Sequence, residues 1–107
     1  MRISVIIPAL NEERYLPTIL ACLQRQTVAP FEIIVADAGS TDRTKDIATR
    51  AGCQVVGGGL PARGRNRGAE HASGDMLFFF DSDVWIEDDF IERVMRQAEA
   101  AGAGSGT

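Results

Sequence analysis

The residues best suited to chemistry in this chain are carboxylates that follow its apolar segments. Asp81 and Asp83 come directly after the apolar run Phe78–Phe80 and are two residues apart. In a strand, residues at that spacing point to the same side, with Cα atoms roughly 6.5 Å apart. Two carboxylates so placed repel each other unless a proton or a cation intervenes. The pair is therefore typical either of a site for a hard divalent ion completed by phosphates, or of a solvated turn or helix cap.

A second polar segment runs from Asp37 to Asp42 and follows another apolar stretch. Ser40, Thr41 or Asp42 could cap the next helix. Gly39 would permit a tight turn at this point. Asp37, at the tip of the preceding strand, could in addition accept a hydrogen bond from a base or a ribose.

The basic residues are concentrated in a different part of the chain from the acidic ones. Residues 1–74 hold nine Lys or Arg and seven Asp or Glu, whereas residues 75–107 hold two and eight. Arg63, Arg65 and Arg67 follow a glycine run, and Arg63 and Arg67 are four apart, as on one helix face. A guanidinium group suits a diphosphate. The alternative is a basic stripe that faces solvent.

Alternating strands and helices are expected to position these residues. Short apolar, β-branched runs predict strands at 3–7, 31–36, 53–56 and 76–80, with Pro8 ending the first and the fourth leading onto Asp81. Helical spacing and capping residues predict helices at about 17–26, 43–51, 62–72 and 87–101. This βαβαβαβα order predicts an α/β fold, a Rossmann-like, mostly parallel sheet with helices on both faces. The polar segments after the strands should then meet at the carboxyl edge of the sheet.

Length and composition restrict the class of protein. The 107 residues allow one domain, predicted over 1–101, with a flexible tail over 102–107. The chain is 45% apolar and 24% charged, with a net charge of -4, which is typical of a soluble globular protein. Cys22 and Cys53 are too few for a disulfide scaffold and indicate reduced thiols and a cytoplasmic location. We therefore expect no secreted mini-protein, no integral membrane protein and no nucleic-acid binder.

Four segments taken in order resemble the N-terminal half of a family 2 glycosyltransferase with the GT-A nucleotide-diphospho-sugar transferase fold. They are residues 5–12, 33–42, 65–69 and 74–83. The resemblance extends over residues 2–100. It implies inverting transfer of a sugar from a UDP- or GDP-linked donor to an acceptor hydroxyl.

The resemblance also implies roles for individual residues. Those expected to border the base and ribose are Pro8, Ala9, Asn11 and Glu12. Asp37 would lie beside the nucleoside, and Arg63 or Arg67 near the diphosphate. Asp83 would be the main ligand of Mg²⁺ or Mn²⁺, and Asp81 would reach the ribose or, through water, the metal.

By the same resemblance, this chain corresponds to the donor-binding half of a transferase. The family's catalytic base is an acidic residue well beyond the D-x-D segment, so it is expected beyond Thr107. A truncated domain would expose a sheet edge, which predicts self-association, while the acceptor could bring a peripheral contact with a membrane. Many relatives carry two adjacent acids where this chain has Asp37-Ala38, which leaves the nucleobase open.

Two other functions fit the same pattern of strands and polar loops. A nucleotidyltransferase shares a phosphate-and-metal sheet edge, although a glycine-rich basic loop normally follows its first strand, where this chain has 8–11 Pro-Ala-Leu-Asn. A non-catalytic interaction module could keep the fold and use the strand tips to bind a protein.

Overall fold

A four-stranded parallel sheet forms the centre of the fold in the computed structural model, which describes residues 2–58 and 61–101. The elements in chain order are β1 (Ile3–Ala9), α1 (Leu16–Gln24), β2 (Glu32–Asp37), α2 (Thr44–Arg50), β3 (Gln54–Gly57), α3 (Pro61–His71), β4 (Met76–Phe79) and α4 (Phe90–Ala100). The strand order in the sheet is β3-β2-β1-β4. The predicted α/β fold is confirmed, whereas the predicted tail at 102–107 lies outside the described residues.

One face of the sheet carries most of the apolar core. Ile3, Val5 and Ile7 of β1 alternate onto this face and are fully buried. They pack with apolar residues of α1, α2 and α4, among them Leu16 and Ile91. The described helices are too short or too polar to cross a membrane.

The other face is covered by α3, which approaches the sheet through glycines. A Cβ atom on Gly68 would lie 2.3 Å from Cγ2 of Ile6, and one on Gly64 would lie 3.3 Å from Cβ of Pro8. Helix α3 lies over β1, β2 and β3. On β4, at the sheet edge, Leu77 and Phe79 remain 40% and 45% exposed. Helices therefore lie on both faces, as predicted, but one side of β4 is uncovered.

The prediction that Pro8 ends the first strand is wrong, because β1 continues to Ala9. Successive residues of a strand direct their backbone polar groups to opposite sides. The carbonyl of Ile6 accepts from Phe80, beside β4, and that of Ala9 accepts from Ala38, after β2. The nitrogen of Pro8 therefore faces the β4 side, beyond the last β4 pairing at Ile6 with Phe79. The missing N–H costs no ladder hydrogen bond there.

Candidate functional site

The loops that follow β1 and β2 are bound to each other at the carboxyl edge of the sheet. Ala9 and Asp37 are register partners at the ends of these strands. Beyond them, the N–H of Asn11 donates to Oγ of Ser40 at 2.8 Å, and the N–H of Glu12 donates to Oγ1 of Thr44 at 2.8 Å. These hydrogen bonds join the loop after β1 to the loop after β2 and to the first residue of α2, so that they form one rim beside the end of β2.

Asp37 is the most buried acid of this rim. It is the last residue of β2 and only 6% exposed. Its Oδ2 accepts hydrogen bonds from the N–H groups of Gly39 (3.0 Å) and Ser40 (2.9 Å), in a turn that Gly39 closes with φ of +98°. Its Oδ1 is buried and has no hydrogen-bond partner among the described residues. An unpaired buried carboxylate oxygen is costly, so a ligand N–H or O–H that reached Oδ1 would relieve that cost.

Pro8 and Ala9, two of the other border residues predicted from the sequence, direct their side chains to opposite faces of the sheet. Pro8 is half-buried beneath α3 at Gly64, and the side chain of Ala9 belongs to the core on the opposite face. The Ala9 carbonyl accepts from the N–H of Ala38 at 2.9 Å. Pro8 and Ala9 thus set the path of the rim.

The acidic pair after β4 lies in a turn and not on a strand, which corrects the geometry expected from strand alternation. Strand β4 ends at Phe79, and the N–H of Val84 reaches back to the carbonyl of Asp81 at 3.5 Å. Ser82 points inward and is 5% exposed, while Asp81 and Asp83 are both exposed. The two carboxylates still face solvent at the same edge, because the turn buries the residue between them.

The arginine that reaches this turn is Arg65, whereas the sequence predicted Arg63 or Arg67 near the diphosphate. Its Nη2 lies 3.9 Å from Oδ1 of Asp81, linking α3 to the turn. Arg67 instead donates through Nε to the carbonyl of Gly57 at 3.2 Å and pairs with Glu70 at 3.8 Å. Arg63 is exposed. The spacing of four favoured Arg63 and Arg67, but Arg65 lies on a different side of the helix.

Gln26 anchors the segment that follows the acidic turn, and no sequence pattern pointed to it. Its buried side chain donates to the carbonyl of Glu87 at 2.6 Å and accepts from the N–H of Ile91 at 3.0 Å. The second contact satisfies an N–H in the first turn of α4, which helix geometry leaves unpaired. A long polar residue just after α1 therefore ties the start of α4 to that helix.

Asp81 and Asp83 are the described side chains suited to a divalent cation at this edge. Within residues 2–58 and 61–101, no group of three or more His, Cys, Asp or Glu could hold a metal ion. Hard cations such as Mg²⁺ are commonly held by one or two carboxylates together with substrate phosphates and water. The two exposed carboxylates fit that donor set.

The curated proteins most similar in sequence among those compared include two that are named as glycosyltransferases or glucosyltransferases. The chain is 38% identical over 104 residues to the putative glycosyltransferase EpsH of Bacillus subtilis, covering 90% of this chain and 30% of EpsH. It is 38% identical over 112 residues to validoxylamine A glucosyltransferase of Streptomyces hygroscopicus subsp. limoneus, covering 95% and 24%.

Two solved structures are similar to this chain in fold as well as in sequence. Staphylococcus aureus TarS 1-349 in complex with UDP-GlcNAc superposes with a TM-score of 0.83 at 29% identity, over 94% of this chain and 32% of TarS. Glucosyl-3-phosphoglycerate synthase of Mycobacterium tuberculosis, in complex with Mn²⁺, UDP and glucosyl-3-phosphoglycerate, superposes with a TM-score of 0.72 at 30% identity, over 85% and 37%. The chain thus spans between 24% and 37% of the length of these four proteins. The family model described as glycosyl transferase family 2 matches residues 4–105, and this chain belongs to that family.

Proposed function

We propose that this chain forms the nucleotide-sugar-binding part of a glycosyltransferase that transfers a sugar from a nucleoside diphosphate to an acceptor hydroxyl. The observation that carries the proposal is the buried Oδ1 of Asp37, which has no hydrogen-bond partner among the described residues, at the carboxyl edge of a parallel sheet. Ligands of open parallel sheets bind at that edge. Two structurally similar proteins were solved in complex with UDP-GlcNAc and with Mn²⁺, UDP and glucosyl-3-phosphoglycerate.

Asp37 is proposed to bind the base through Oδ1. Uracil presents an N3–H donor and guanine an N1–H donor, and either can satisfy a carboxylate oxygen that has lost its water. The fixed Oδ2 leaves Oδ1 a single direction, so the base would be held in one orientation. The part of the rim that contains Asn11 and Glu12 would border the base and ribose.

The diphosphate is proposed to bind at the acidic turn together with a divalent cation. Asp83 would be the main ligand of Mg²⁺ or Mn²⁺, and Asp81 would reach the ribose or the metal. Arg65 already lies near Asp81, so we add it to Arg63 and Arg67 as a proposed diphosphate contact. The cation, when bound, neutralises charge that develops on the departing diphosphate.

Inversion at the sugar carbon is part of the proposal and requires a base that deprotonates the acceptor hydroxyl. Asp37 is committed to its turn, and Asp81 and Asp83 to the cation. No described residue is therefore proposed for that role. A cytoplasmic location and a peripheral membrane contact through the acceptor stay predictions from the sequence.

Isothermal titration calorimetry with UDP and with GDP, each with and without Mn²⁺, tests the proposal. We expect one of the two nucleotides to bind and its affinity to rise with Mn²⁺. Asp83→Ala should abolish the Mn²⁺-dependent gain. Asp75→Ala is the matched control, because Asp75 is an exposed aspartate at the opposite end of β4. No heat with either nucleotide from folded protein would favour an interaction module, and a full Mn²⁺ response in Asp83→Ala would refute the ligand assignment.

Self-association through β4 is also proposed. The strand lies at the sheet edge, Leu77 and Phe79 are exposed on it, and its four residues include no charged side chain and no proline. Such edges add further strands readily. A light-scattering mass that equals one chain across a wide concentration range would contradict this proposal.

A further inference from the structure

Asn11 has an unusual backbone conformation at the rim of the site. Its φ is +53°, which makes it the one non-glycine residue with positive φ in the described ranges 2–58 and 61–101. Side chains generally disfavour this left-handed region, although asparagine tolerates it better than most. The contacts that Asn11 makes give a reason for this conformation.

Asn11 contacts the loop after β2 with both its backbone and its side chain. Its N–H donates to Oγ of Ser40 at 2.8 Å. Its Oδ1 accepts from the N–H of Thr41 at 2.8 Å, with the N–H of Asp42 further away at 3.4 Å. The left-handed turn is what lets one residue reach two successive positions of the neighbouring loop.

The same loop holds the carboxylate proposed to bind the base. The N–H of Ser40 donates to Oδ2 of Asp37, as does the N–H of Gly39. Ser40 therefore contacts Asn11 through its hydroxyl and Asp37 through its amide. A displacement of residues 40–41 would rotate the Asp37 carboxylate and redirect its Oδ1.

We propose that Asn11 is a positioning residue for the Asp37 carboxylate, acting through Ser40 and Thr41. This inference rests on the proposed function, since it assumes that Asp37 binds the base. It also changes the role expected from the sequence, in which Asn11 itself borders the nucleotide. The amide oxygen of Asn11 is already occupied by the N–H of Thr41, so its main contribution is made through the loop.

Three variants separate the side chain from the backbone conformation. Asn11→Gly keeps the left-handed turn but removes the acceptor for Thr41. Asn11→Asp keeps both, since aspartate also tolerates this conformation and retains Oδ1. Ser4→Ala is the matched control: it removes a buried hydroxyl, which donates to Glu32 and accepts from the N–H of Gly74, at the amino end of β1.

Two measurements are made on each variant: amide hydrogen exchange without ligand, and calorimetric titration with UDP and GDP. Asn11→Gly should weaken binding of the preferred nucleotide by about tenfold, the loss expected when one hydrogen bond no longer orders a site. It should also accelerate exchange at Gly39 and Ser40 as well as at Thr41. Asn11→Asp should restore binding to within about threefold of wild type, and Ser4→Ala should leave it unchanged.

The outcomes distinguish a failure of the positioning role of Asn11 from a failure of the proposed function. Faster exchange in Asn11→Gly that is confined to Thr41, with Gly39 and Ser40 unchanged, would overturn the positioning role. So would equal loss of affinity in Ser4→Ala, because any loss of stability would then suffice. If wild-type protein bound neither UDP nor GDP, the proposed function would fail, while hydrogen exchange at Gly39 and Ser40 would still decide whether Asn11 orders the Asp37 turn.

Discussion

Asp37→Asn is the substitution that separates the structural role of this side chain from its proposed role in binding. The N–H groups of Gly39 and Ser40 require an acceptor at the position of Oδ2. The amide oxygen of asparagine would take that position, because the reverse orientation would place an NH₂ group against two donors. The NH₂ group would then occupy the position of Oδ1, where the native carboxylate has no described partner.

The expected magnitudes follow from this exchange of atoms. The unliganded protein keeps both hydrogen bonds of the turn and loses an unpaired buried carboxylate oxygen. Its stability should therefore stay within about 1 kcal/mol of wild type or rise. Binding of UDP loses a charge-assisted hydrogen bond, worth about 1.5 to 3 kcal/mol, which corresponds to a loss of about 10- to 150-fold in affinity.

A comparison of UDP with CDP tests more directly whether Oδ1 contacts the base. Uracil donates at N3, whereas cytosine accepts at N3, so the amide of Asp37→Asn should bind CDP better than the native carboxylate does. We expect calorimetry to show the UDP preference over CDP in wild type and its reduction or reversal in the variant. Urea unfolding of both proteins provides the stability control. An unchanged ratio of UDP to CDP affinity, or a variant destabilised by several kcal/mol, would show that Oδ1 does not face the base.

Two further predictions concern the scaffold. Partial burial raises the pKa of Glu32, but hydrogen bonds led by that from Ser4 outweigh it and leave the pKa below its ordinary value. Their stabilisation should be present above about pH 4.5 and lost as the pH falls through the lowered pKa of the folded state, so urea unfolding should show Glu32→Gln more strongly destabilised relative to wild type at pH 7 than at pH 3. Equal differences at both pH values would contradict this assignment. Gly68→Ala should destabilise the fold by about 1 to 3 kcal/mol, because its Cβ would lie 2.3 Å from Cγ2 of Ile6, and a melting temperature equal to wild type would refute the close packing of α3.

The sequence predicted those features that follow from the periodicity of apolar residues in strands and helices. The alternation of strands and helices predicted the parallel sheet and placed Asp37 at a strand tip, since strand ends and the carboxyl edge follow from topology. It was misleading at Asp81 and Asp83, where a turn replaces the strand that their spacing suggested. It could not identify Arg65, because contact with Asp81 depends on how α3 crosses the sheet. No periodic pattern in the sequence predicts such side-chain contacts between distant segments.

The two ends of the proposed site differ in how far they are preorganised in the absence of a ligand. Asp37 is buried and held by two backbone donors, so the base end is organised before a ligand arrives. At the other end, Asp81 and Asp83 are exposed, and the one described ion pair, to Arg65, is long. Carboxylates there would repel a diphosphate unless a cation intervened. If the proposal holds, uridine should therefore bind equally well with or without Mn²⁺, and the additional affinity of UDP should depend on the metal.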